Sequence, residues 1–267
     1  MPELPEVEAT RKNLEKWVRG RSITRVLSDR RHRGVSHDAV LSLHGVQLGE
    51  VDRTGKYLLV EMRDHLLVTH LGMSGRLLRR ETASYVSEPH HHVCFWLDDN
   101  SVLVFEDHRR FGRVFLSPRD RSGLPPLGPD PLKTALSGQD LIRLLGHRPT
   151  TLKAALMDQS IIAGLGNIYS CETLWGGGLA PRRLCSSLRE VDFDRLALAL
   201  TSIITHAVDA GGATLDDYRG TNGEMGDFDR RFEVYGRAGS PCSRCTSTIQ
   251  VERVNGRVTF WCSQCQV

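Results

Sequence analysis

Pro2, Glu3 and Glu6 stand together at one end of the sequence, and Cys242, Cys245, Cys262 and Cys265 at the other. An initiator methionine before a residue as small as Pro2 is normally removed, leaving a secondary amine as the first atom of the protein. Such an amine attacking an aldehyde carbon gives an iminium cation, an electron sink that labilises the neighbouring C–H bond. A helix starting a few residues on places its positive end nearby, which disfavours the ammonium form. Glu3 and Glu6 then supply carboxylates that can handle protons beside the amine. Read from the residues alone, the same segment also serves as a plain helix start, because proline suits the first helical turn.

The cysteines point to a different chemistry. Cys242-Ser-Arg-Cys245 and Cys262-Ser-Gln-Cys265 are separated by the sixteen residues 246–261, the spacing of two thiolate knuckles around one tetrahedral zinc ion. Residues 248–254 alternate like a strand, Asn255-Gly256 is a hairpin turn, and 257–261 returns. Four protein ligands leave no open coordination position, so this zinc holds a fold and does no chemistry itself. Such a hairpin can present Arg257 rigidly, and a phosphate is the natural contact. Disulfides are disfavoured in a chain that stays inside the cell. Cys94, Cys171 and Cys185 are scattered and read as small buried hydrophobes.

Other candidates are few. His90-His91-His92 would alternate faces along a strand, so the three are expected at the surface or on phosphates rather than on a shared metal. Residues 163–167 form a glycine turn whose amides and Asn167 suit an anion at a helix start, although such turns are often only turns. No serine elbow, P-loop or nucleotide fingerprint is present.

The elements that must position these groups fall into two styles. The 267 residues suffice for about two domains, with 40% hydrophobic and 25% charged residues and no apolar run near the roughly 20 a bilayer needs. Glu3, Glu6 and Glu8 stand where a secretory signal would carry positive charge, so a cytoplasmic protein is expected. The net charge is +3, and only five of 35 basic residues are lysine; guanidinium is the better planar donor to phosphate, which permits nucleic acid as a partner. Residues 2–19 predict a helix. Short β runs follow at 23–26, 46–51, 57–62, 66–71, 92–97 and 102–105, the pattern of an antiparallel sandwich. A Pro/Gly-rich linker leads to helices at 135–145, 152–159, 166–175 and 190–210. Residues 211–229, with five glycines, read as a mobile loop or lid.

Taken together, several motifs resemble the bacterial formamidopyrimidine-DNA glycosylases, in the superfamily shared with endonuclease VIII. They are Pro2-Glu-Leu-Pro-Glu6, Gly55-Lys56-Tyr57, His70-Leu-Gly-Met-Ser-Gly75, Asp107-His-Arg-Arg-Phe-Gly112, Met157-Asp-Gln159, Gly164-Leu-Gly-Asn-Ile-Tyr169, Val234-Tyr-Gly-Arg237 and the four-cysteine finger. The resemblance implies an α+β fold. Its domains would be an N-terminal helix and β-sandwich (1–118), a linker (119–134), a helical helix–two-turn–helix domain with a lid loop (135–232), and a zinc finger (233–267). It implies a monomeric enzyme that removes oxidised purines from double-stranded DNA and cuts the strand by β,δ-elimination, with one structural zinc and no membrane partner. Pro2 would form the Schiff base, Glu3 would move protons at the sugar, and Lys56 and Arg257 would serve the eliminations. Asn167, His90, Arg109 and Arg148 would contact DNA, and Met73, Arg109 and Phe111 would fill the gap left by an extruded base. The alternatives are an endonuclease VIII-like enzyme for oxidised pyrimidines, disfavoured by Leu4 where that branch usually has glycine, and a non-catalytic damage binder. Three residues depart from the family pattern: His108 for proline, Cys171 for an acidic residue, and His91 for aspartate.

Overall fold

A computed structural model of the chain describes residues 1–213 and 226–267. They form two compact units, one of Met1–Pro125 with Gly211–Gly226, the other of Pro126–Ala210 with Asp227–Val267. The central part of the expected lid, residues 214–225, lies outside the described residues.

In the first unit, helix α1 (Leu4–Val18) starts where Pro5 occupies the first turn and Glu3 and Glu6 close a capping box. Its inner stripe of Leu4, Val7, Leu14 and Val18 is fully buried, while Gly20, at φ +77°, ends it. Strand β1 (Ile23–Ser28) and the short helix α2 (His37–Leu41) lead into a meander of β2 (Val51–Thr54), β3 (Tyr57–Glu61) and β4 (His65–His70). Then come β5 (Gly75–Glu81), β6 (His91–Leu97), β7 (Ser101–Asp107) and β8 (Arg113–Pro118). Two four-stranded antiparallel sheets result, ordered β1-β6-β7-β5 and β2-β3-β4-β8. Val7 and Leu14 of α1, Leu58, Val60 and Leu67 of one sheet, and Phe95, Leu103 and Phe105 of the other belong to one buried cluster. Each such side chain contributes roughly 2–3 kcal/mol by leaving water. The antiparallel sandwich is as expected.

Three strands differ from the sequence reading. The run at 46–51 becomes a strand only from Val51, because Gly49 approaches the end of β3 closely: its N–H donates to the Glu61 carbonyl at 2.7 Å, and a Cβ there would meet Glu61 at 3.2 Å. Strand β5 was hidden by its three arginines and one glutamate, which flank buried Leu77 and Leu78. Strand β8 begins where the expected pattern fades, and pairs with β4 from Arg113 opposite His70.

The second unit is helical with a β-hairpin. Helix α3 (Gly138–Leu145) is capped by Ser137 and Asp140, and α4 (Leu152–Met157) by Thr151. Two turns join α4 to α5 (Asn167–Gly177), and Gln159 fixes them: its amide nitrogen donates to the carbonyls of Met157 and Leu165 at 3.0 and 2.7 Å, and its oxygen accepts the Gly164 N–H at 2.9 Å. The long α6 (Glu190–Asp209) crosses close to α5, where a Cβ on Gly176 would lie 3.0 Å from Ala199. Strands β9 (Gln250–Val254) and β10 (Arg257–Trp261) pair through Asn255 and Gly256, both at positive φ as a type I′ turn demands. Among the described residues, no helix is long and apolar enough to cross a membrane.

Candidate active site and nucleic-acid contacts

Pro2 is buried at the head of α1, and Glu3 behind it is only 2% exposed. Glu6 is equally buried, and its two oxygens are occupied: Oε2 accepts the Glu3 N–H and Oε1 the Ala213 N–H, each at 2.8 Å. A carboxylate engaged by two backbone donors helps to position the chain, and Glu6 ties Ala213, inside the expected lid, to the segment bearing Pro2.

Lys56, 5% exposed, sits in the two-residue turn between β2 and β3, with Gly55 at φ +55° and Thr54 paired to Tyr57. A side chain that drew no attention in the sequence fixes that turn. Arg53, 1% exposed, donates from Nε to Glu8 at 3.0 Å and from a terminal nitrogen to the Gly55 carbonyl at 2.7 Å. Helix α1 and the Lys56 turn are thus pinned together by one buried ion pair. His70 lies opposite Tyr57, rings 4.8 Å apart; burial first, then the charges of Lys56 and Arg113, pulls its pKa down to about 4. It is neutral at physiological pH.

Met73 and Phe111 project from two loops and are 39% and 55% exposed. Asp107, fully buried, staples those loops. It accepts from Ser74 Oγ at 2.6 Å and the Gly112 N–H at 2.7 Å, and faces His32 Nε2 at 3.2 Å. Burial would raise its carboxyl, but these bonds hold it at about 2. Ser74 Oγ also accepts the Arg109 N–H at 2.9 Å, and the Arg109 guanidinium stands 5.2 Å from the Phe111 ring. A Cβ on Gly72 would come within 2.5 Å of Gly112 N, so only glycine lets the loops meet. The fold therefore brings Met73, Arg109 and Phe111 together.

Two of the three histidines, His91 and His92, behave differently from expectation. His91 and His92 are buried structural groups: His91 meets the Tyr85 hydroxyl, and His92 bridges Asp29 and the Asp107 carbonyl. The sandwich buries both faces of β6 at its start, so alternation did not send either outward. His90, at φ +74°, is partly exposed with its Nδ1 enclosed and unpartnered.

In the second unit, Asn167 opens α5, donating from Nδ2 to the Val258 carbonyl at 2.8 Å, with its Oδ1 enclosed. The β9–β10 hairpin thus backs the start of α5, with Arg257 exposed at its turn. Lys153, completely buried, donates to the Asn167 carbonyl at 2.9 Å and to Cys171 Sγ at 2.8 Å; this partner of Asn167 was also missed. Cys171 is buried as expected, yet it serves as an acceptor as well as a small apolar filler. Arg148 follows α3 and donates from Nε to the Leu144 carbonyl at 2.7 Å.

The four finger sulfurs lie within 4.8 Å of one another. Cys242–Cys265 and Cys245–Cys262 stand 3.9 and 3.4 Å apart, bracketing the roughly 3.8 Å edge of a tetrahedron with zinc–sulfur bonds near 2.3 Å. The donor set fits a structural zinc ion.

Family models match in chain order: the formamidopyrimidine-DNA glycosylase N-terminal domain over residues 1–114, that family's H2TH domain over 127–219, and a zinc finger found in FPG and IleRS over 239–267. The chain belongs to the formamidopyrimidine-DNA glycosylase family. Members from Rhodopseudomonas palustris and Paracoccus denitrificans are 38% and 39% identical, with both chains covered in full. The crystal structure of the MutM (Fpg) protein of Thermus thermophilus superposes with a TM-score of 0.90 at 38% identity, covering 99% of this chain and 98% of that one. A Lactococcus lactis Fpg in complex with abasic-site DNA gives 0.91 at 32% identity, covering 99% of each. Within this glycosylase family, the fold and the four-cysteine zinc site of the present chain are those its sequence predicts.

Proposed function

We propose that this family member is a base-excision-repair DNA glycosylase and abasic-site lyase that removes oxidised purines from duplex DNA, acting as a cytoplasmic monomer. The observation that carries the reading is the buried Pro2–Glu3 pair at the head of α1, tied through Glu8 and Arg53 to the Lys56 turn. With Met1 removed, the Pro2 nitrogen bonds the anomeric carbon of the damaged nucleotide. The glycosidic bond breaks, and its electrons leave with the base, which takes up a proton. The sugar ring opens to an iminium, with Glu3 donating and accepting protons at the sugar. Loss of a proton from the neighbouring carbon then expels the 3′ phosphate, and a second elimination expels the 5′ phosphate, Lys56 and Arg257 assisting.

Extruding a base costs a few kcal/mol of stacking. Met73 and Phe111 would fill the vacated space, and Arg109 would satisfy the orphaned partner base. His90, Arg148, Asn167 and Arg257 would hold the backbone. The zinc, bound by Cys242, Cys245, Cys262 and Cys265, supplies rigidity to the hairpin and no reaction chemistry.

Borohydride trapping tests the reading. Demethionylated protein should form a covalent adduct with an 8-oxoguanine duplex, faster than with a thymine glycol duplex, and Pro2→Gly should lose the adduct by at least tenfold. Acetylation of the amino terminus that leaves incision undiminished overturns it, and a preference for thymine glycol moves the substrate to oxidised pyrimidines.

A further inference from the structure

His108 lies between Asp107, which staples the two loops, and Arg109, and its side chain is 54% exposed. Its Nε2 stands 2.6 Å from Glu106 Oε1, an oxygen that also accepts from Arg76 Nε at 3.1 Å and from a terminal Arg76 nitrogen at 2.8 Å. Burial opposes charge on Glu106, but the bonds from Arg76 and His108 hold its carboxyl below the ordinary range, so it is ionised. An ionised carboxylate only accepts hydrogen bonds. The hydrogen of that bond therefore resides on His108 Nε2, and Nδ1 is left as the ring's other polar atom.

The surroundings are already balanced without a second proton on this ring. Glu106 faces Arg76 on β5 and His91 on β6, whose Nε2 is 3.6 Å away. Asp107 faces His32 and hydroxyl and amide donors, with His92 on its carbonyl. The His90 ring touches His108 at 4.4 Å, tilted by 42°. Since Arg76 neutralises Glu106, a proton on His108 is a net positive charge at an exposed position, beside Arg109 and Arg110. Such a charge, on a ring held in one orientation by its carboxylate, suits a phosphodiester oxygen.

We propose that His108 is a DNA-backbone contact in this chain, oriented by Glu106 and packed against His90 as the second imidazole of the same contact. This inference rests on the DNA-processing function above. The histidine would add a phosphate contact where the family usually carries a proline that can make none.

Binding of the full-length zinc-loaded protein to a duplex bearing an uncleavable tetrahydrofuran abasic analogue tests it, with affinity measured from 50 to 200 mM salt at pH 6 and pH 8. Each protonated contact contributes roughly 0.9 to the slope of log affinity against log salt, or about threefold across this range. His108→Gln keeps a donor for Glu106 but no charge, so it should lose that increment at pH 6 and match wild type at pH 8. His108→Lys should restore it at both pH values. A purely structural role would leave the slopes alone. If wild type binds the duplex and His108→Gln has the same slope at pH 6, the contact is wrong while the glycosylase reading stands; if wild type does not bind the duplex, both fall.

Discussion

At the scale of single residues, this protein places charge where water is scarce and fixes it with neighbours. Arg53 and Glu8 exemplify the permanent case and His70 the switchable one. An unfolded histidine titrates near 6.5, and His70 in the folded chain near 4. Above pH 6.5 both states are neutral and the residue makes no difference. Between 6.5 and 4 the unfolded chain binds the proton and the folded chain does not, so stability falls as the pH falls. The contribution reaches about 3 kcal/mol at pH 4. Urea unfolding should therefore show wild type losing more stability than His70→Gln between pH 7 and pH 4.5. Parallel losses in the two proteins would mean that His70 titrates normally and that Lys56 does not press on it.

At the scale of elements, the decisive device is one carboxylate joining two loops. Asp107 collects Ser74 and Gly112, and Ser74 in turn collects Arg109, so the loops bearing Met73 and Phe111 share one fixed point. Asp107→Asn keeps the shape but replaces one acceptor oxygen with a donor, leaving a buried mismatch that costs about 2–3 kcal/mol. We expect a lower melting temperature and a loss of preference for damaged over intact duplex larger than the loss of total affinity. Equal loss on both duplexes would show that the staple serves stability alone. This staple was not legible in the sequence, because Asp107, Ser74 and His32 are distant along the chain and none has a local signature. What was legible obeys short-range rules: the Pro5 and Glu3–Glu6 helix start, the Asn255-Gly256 turn and the cysteine knuckles are each set by neighbours within a few residues. Strand β5 escaped because its polar residues hide a buried pair, and His91 and His92 were misjudged because burial depends on what covers a strand. Lys56 could be found from its motif, but Arg53, which holds it, could not.

At the scale of the whole molecule, two cores are held by different means. In the first unit, the main buried cluster joining α1 to the two sheets is made of aliphatic and aromatic side chains with Met62, among the described residues. In the second, the cluster of Trp175, Val234, Ile249, Cys242 and Cys262 includes zinc-binding thiols, so part of its packing depends on the metal. Free energy of zinc binding to such sites is also folding energy, on the order of 10 kcal/mol. Glu172 ties the hairpin region to α5 by accepting the N–H groups of Glu233, Val234 and Tyr235, and Asn167 meets β10 at Val258. Losing the metal should therefore loosen the start of α5 as well as the hairpin that presents Arg257. Stripping zinc with a strong chelator is expected to lower duplex affinity at least tenfold and flatten its salt dependence, since the phosphate contacts proposed for Asn167 and Arg257 would disappear together. The thermal transition of the sandwich should move little, because no cysteine of its core binds metal, and readdition of zinc should restore affinity. Full duplex binding by verified metal-free protein would show that the hairpin keeps its shape without the ion and that packing on Trp175 is enough to hold it.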